Sequence, residues 1–135
     1  MSRIIHHIDE IGRRKQRDVV FVAFDPGLTK GCETWTRLPI RQQIIDWLDA
    51  EDIAWTPCAH FASENHMCVY RGQIYIDVPH DPEDPGYRKV AAYFEFPDGT
   101  MRLPGVTLYH LPLSMAMTNA HHDEPGFWER WAENF

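Results

Sequence analysis

The stretch Val19-Val20-Phe21-Val22-Ala23-Phe24 decides how the chain is read. Six consecutive apolar residues, β-branched and aromatic in majority, are too few for a buried helix and show no polar alternation. Such a run reads as a central strand covered on both faces. Asp25-Pro26-Gly27 ends it with turn chemistry, since proline presets φ and glycine tolerates the left-handed region. Upstream, Ile4, Ile5, Ile8 and Ile11 recur at helical spacing, which predicts an amphipathic helix over 3–15, with Gly12 weakening its end. Downstream, Pro39 suits a first helical turn, and Ile40, Ile44, Ile45 and Leu48 form the buried stripe of a helix over 39–50. Ile53-Ala54-Trp55 then begins a second strand. Residues 19–55 therefore read as a strand–helix–strand unit with a right-handed crossover.

The second half changes character. Met67 to Tyr70 and Gln73 to Val78 flank Arg71-Gly72 as a hairpin, with Ile74, Ile76 and Val78 alternating. Pro79 to Gly86, with three prolines and three acids, reads as a surface loop. Val90 to Phe96 and Thr100 to Leu103 flank Pro97-Asp98-Gly99, the signature of a second hairpin. Val106 to Leu111 is a further strand, and Leu113 to Ala120 a short helix. Phe127, Trp128, Trp131 and Phe135 share one face of a C-terminal helix, which should dock on its own domain with Trp131 as a core anchor. The expectation is one α+β domain over residues 1–135. It has a mixed, mostly antiparallel sheet and flanking helices at the N-terminus, at 39–50 and at the C-terminus.

Composition sets the functional classes. The 135 residues carry a formal charge of −7 and are 44% hydrophobic and 24% charged, as globular proteins are. The deficit is local: residues 42–87 hold nine acids and Arg71 alone, a net −8. A field of that sign repels phosphate backbones and attracts basic surfaces, so no direct nucleic-acid contact is expected despite the basic cluster Arg13, Arg14, Lys15 and Arg17. No apolar run approaches the ~20 residues of a membrane span, and the first residues lead into His6-His7 rather than an apolar signal core. Cys32, Cys58 and Cys68 make no disulfide framework, which points to a reducing cytoplasm.

Three constellations could carry chemistry. If residues 61–65 turn the chain, Cys58 and His60 face Cys68 and His66, a Cys2His2 set suited to tetrahedral zinc; the alternative is small buried cysteines with histidines at a loop mouth. His121-His122-Asp123-Glu124 cannot all meet one ion on a helix, because adjacent residues diverge by roughly 100°. Asp123 is placed there as the N-cap of the last helix, leaving the histidines for metal or proton transfer. Third, Phe24-Asp25-Pro26-Gly27-Leu28-Thr29-Lys30 resembles the first-strand signature of Holliday-junction resolvases of the ribonuclease H-like fold. That resemblance implies a magnesium-binding Asp25, with Glu64 or Asp123 as the further carboxylates; read from the residues alone, Asp25 is a turn aspartate.

No Gly-x-Ser-x-Gly elbow or glycine-rich phosphate loop is present. The expectation is thus a non-catalytic accessory or inhibitor-like domain with no required cofactor. Its acidic surface, comprising Asp46, Asp49, Glu51, Asp52, Asp81, Glu83 and Asp84, would engage a basic protein partner. The alternatives are a zinc-binding or metal-dependent hydrolytic protein built on Cys58, His60, His66 and Cys68, and a nuclease using Asp25.

Overall fold

The computed structural model describes residues 6–25, 38–59, 61–62 and 72–133. Helix α1 (Ile8–Lys15) carries Asp9 and Glu10 in its first turn and Arg13, Arg14 and Lys15 in its last, each sign placed where the helix dipole favours it. It runs through Gly12 rather than fraying there. A Cβ at Gly12 would lie 3.2 Å from Ala116 Cβ and 3.6 Å from Val19 Cγ2, so glycine permits the close approach of two elements. The part of the expected helix that contains Ile4 and Ile5 lies outside the described residues.

Strand β1 (Val19–Phe24) is followed by α2 (Pro39–Ala50), β2 (Trp55–Pro57), β3 (Ile74–Ile76), α3 (Pro85–Phe94) and β4 (Val106–Leu111). The sheet order is β2-β3-β1-β4, and every neighbouring pair is antiparallel. Among the described residues, an isolated parallel bridge joins His7 to Ala59 outside the four-stranded sheet, which is antiparallel throughout. The crossover expected over 19–55 takes a split form. β1 and β2 point the same way, but β3 lies between them; β3 and β4 likewise point the same way around β1. Two interleaved β-α-β units of this kind make the β-α-β-β-α-β arrangement of ferredoxin-like topology.

The pleat of β1 explains its unbroken apolar sequence. Val20, Val22 and Phe24 join Ile44, Ile45 and Leu48 of α2 and Val90 and Phe94 of α3 in one core. Val19, with Phe21 half-buried beside it, faces Ile8 and Ile11 of α1 and Ala116 on the opposite side. The architecture is therefore α+β in three layers, with each buried aliphatic side chain contributing roughly 1.5–3 kcal/mol. Trp47 stacks on Tyr93 with ring centroids 4.0 Å apart, tying α2 to α3.

Several sequence expectations change here. Ile74–Ile76 pairs with β1 on one side and β2 on the other, and Met67 to Tyr70, the other arm of the expected hairpin, lies outside the described residues. Val90 to Phe96 is not a strand: Asp84 caps α3 by accepting the Tyr87 N–H at 2.9 Å, Pro85 opens the helix, and Val90 and Phe94 bury one face. The turn at 97–99 survives, closed by a single antiparallel bridge between Glu95 and Met101. After β4, the chain forms α4 (Leu113–Ala116), a 3₁₀ helix (Met117–Asp123) and α5 (Phe127–Glu133). α5 docks on its own domain through Trp128, stacked on His7, and through Phe127 and Trp128 against His122, but none of its residues is fully buried. Trp131 is half-buried and packs edge-on against Trp128, so the core anchor of this region is His122. Asp123 is no helix cap; it accepts two hydrogen bonds from Arg13, at 2.7 and 2.9 Å. No helix among the described residues is long and apolar enough to cross a membrane.

Candidate functional site

The site begins with how α2 ends. The Ile53 N–H reaches back to the Leu48 carbonyl at 2.9 Å and the Asp52 N–H to that of Asp49 at 3.2 Å, the double closure of a Schellman turn. Leu48 and Ile53 meet in the core beneath it. The residue that must adopt left-handed backbone in this motif is ordinarily glycine; here it is Asp52, with φ 58°. The turn reverses the chain so that Trp55, at the start of β2, folds back over α2 and donates its indole N–H to Asp49 at 2.9 Å. Asp49, Asp52, Ile53, Ala54 and Trp55 line an open depression of ≈ 350 Å³.

Electrostatics here run against the fold. Asp46, Asp49, Glu51 and Asp52 are all exposed at the C-terminal end of α2, and no basic residue occupies its last turn. Peptide dipoles already make that end negative, so each added carboxylate is disfavoured by roughly 0.3–1 kcal/mol. Among the described residues, Lys89 of α3 pairs with Glu51 at 3.3 Å. A positively charged group entering the depression would meet two carboxylates and the ring of a tryptophan.

The seven acids named from sequence thus divide into two groups. Asp46, Asp49, Glu51 and Asp52 belong to the α2 turn. Asp81, Glu83 and Asp84 lie on the loop before α3, where they serve local structure. Asp81 accepts the Glu83 N–H at 2.9 Å, Glu83 lies 3.9 Å from Arg88, and Asp84 is the helix cap.

Of the zinc set, Cys58 is described: it is buried between α1 and β3, and burial pushes its thiol up to about 12. His60, His66 and Cys68 lie outside the described residues. Asp25 is exposed at the end of β1, its N–H bonded to the Gly105 carbonyl at 2.8 Å; Pro26 to Lys30 and Glu64 lie outside the described residues. His121 and His122 pack against Phe127, His122 face-on with centroids 4.7 Å apart.

Two sets of residues escaped the sequence reading. The first is Trp55, read only as the start of a strand. The second is Asp18, His80 and His110, the one group of three metal-capable side chains that converges among the described residues. These three come from distant stretches with no spacing signal. The signal available was the antiparallel register of β1 and β4, Val20 opposite His110, which brings the residue before β1 to the end of β4.

No protein-family model, no curated protein and no solved structure matches this chain.

Proposed function

We propose that the protein is a non-catalytic binding domain whose α2 turn captures a basic segment of a protein partner. An arginine or lysine side chain would enter the depression between Asp49 and Asp52 and lie against Trp55. The observation that carries this reading is the crowding of Asp46, Asp49, Glu51 and Asp52 at the negative end of a helix, around a tryptophan-lined hollow. Arginine over an indole between carboxylates gains both ion pairing and cation–π attraction. The partner would therefore be a basic protein surface, and its approach would be steered by the acidic field. The three-cysteine composition, with no disulfide framework, favours a reducing cytoplasm as the place of work.

A peptide of alternating arginine and glycine tests it, with a glutamate–glycine peptide as control. Affinity for the arginine peptide should fall roughly tenfold between low and high salt, because solvent-exposed charge pairs are screened over a Debye length. The double variant Asp49→Asn, Asp52→Asn should bind about tenfold more weakly, a change of about 1.4 kcal/mol. Affinity indifferent to salt, or unchanged in the double variant, would remove the reading.

A further inference from the structure

We propose that Asp18, His80 and His110 form a three-ligand site for a divalent first-row transition ion, with zinc as the ion tested. It lies at the sheet edge where β1 and β4 meet the loop into α3. One ligand atom from each residue lies within 4.8 Å of the other two. His110 Nε2 and Asp18 Oδ2 are 2.9 Å apart. The rings of His80 and His110 lie nearly parallel, 11° apart in plane, with centroids 3.6 Å apart. Around tetrahedral zinc, with bonds of about 2.0–2.1 Å, ligand atoms stand about 3.3 Å from each other. Closing the set takes side-chain rotation, with one imidazole turning out of the stack so that both in-plane lone pairs aim at the ion.

Each ligand is held by the fold. The register of β1 and β4 sets Val20 opposite His110 and Val19 opposite Leu111, so Asp18 reaches the end of β4. The Leu113 N–H then bonds Asp18 Oδ1 at 2.7 Å, which turns the second oxygen toward His110. A ligating carboxylate oriented by a backbone donor is the usual outer support of a metal site. His80 is steadied by the edge of the Tyr87 ring, centroids 5.2 Å apart. Burial, and then the neighbouring His110, keep His80 below its ordinary pKa against the opposing pull of Asp18 and Glu95.

The Leu113 contact accounts for one carboxylate oxygen as a structural cap. It does not account for the second oxygen on His110, nor for two imidazoles stacked beside it. Nitrogen and oxygen donors of this kind suit borderline ions rather than magnesium or calcium. Three protein ligands also leave a position open to water or to a small anionic group.

The full chain, stripped with chelator and titrated with zinc alone, tests the site, with cobalt as a spectroscopic stand-in. One equivalent of zinc is expected at micromolar concentration or below. Affinity should fall at least about tenfold in His80→Ala and in His110→Ala. Asp18→Asn, which keeps an oxygen for the Leu113 N–H, should weaken binding while melting like the parent. Cobalt should give ligand-field bands without thiolate charge transfer. Failure of the parent chain to bind zinc would overturn the proposal, as would binding unchanged in both histidine variants. Loss only in Cys68→Ser, with a thiolate band, would place the ion on the cysteine–histidine set and overturn it equally.

Discussion

Asp52 is where local stability and the proposed function pull apart. A residue in left-handed backbone at the end of a Schellman turn is ordinarily glycine, and an acid there also meets the negative end of the helix dipole. Asp52→Gly should therefore stabilise the fold by up to about 1 kcal/mol, measured by urea unfolding, while weakening capture of the arginine peptide. A variant that binds as tightly as the parent would show that Asp52 is merely tolerated there. A second residue-scale case is the network around Arg13, whose side chain is 5% exposed. It bonds Asp9, which is wholly buried, and Asp123. Burial alone would raise the Asp9 carboxyl, but hydrogen bonds from Arg13, the Ala62 N–H and Asn119 hold it below 3.8; Arg13 does the same for Asp123. A carboxylate with a depressed folded-state pKa stabilises fully above its unfolded value, and that stabilisation is lost as pH falls through the folded value. Melting temperature should thus be insensitive to this network above about pH 5 and drop below about pH 4. Asp123→Asn should melt lower than the parent at neutral pH but lose less on acidification. An acid slope equal to the parent's would mean that the Arg13–Asp123 pair contributes nothing to it.

Helix α3 shows where element-scale reading failed. Residues 90–96, which run past its end and include Val90, Tyr93, Phe94 and Phe96, have strand propensity, and Pro97-Asp98-Gly99 supplies a real turn. The deciding residues lay upstream, in Asp84-Pro85, a cap followed by a proline at the first helical position. The prolines crowding that stretch give it the appearance of a loop in sequence. Helix α2 was legible for the converse reason: Pro39 and the Ile44, Ile45, Leu48 stripe agree with each other and with the structure. Because Asp84 caps α3, Asp84→Ala should cost about 0.5–2 kcal/mol of stability and leave arginine-peptide affinity as it was. Weakened binding with unchanged stability would return Asp84 to the binding surface.

For the whole molecule, β1 was the most readable feature, since only a strand packed between two helical layers can be apolar at every position. What the sequence could not show was order: β3 inserts between β1 and β2, and this depends on pairing energies spread over the whole sheet. The candidate site was half legible for a related reason. Its acids were evident from charge, whereas Trp55 joins them only because the α2 turn folds β2 back across the helix end. The central claim, that this turn receives a basic side chain, is tested most directly by the indole N–H resonance of Trp55, assigned with Trp55→Phe. Titration with the arginine–glycine peptide should move that resonance in a saturable way, with the Asp49 and Asp52 amides following the same curve and the glutamate peptide leaving all three in place. A Trp55 resonance that stays fixed while the peptide binds would contradict the account.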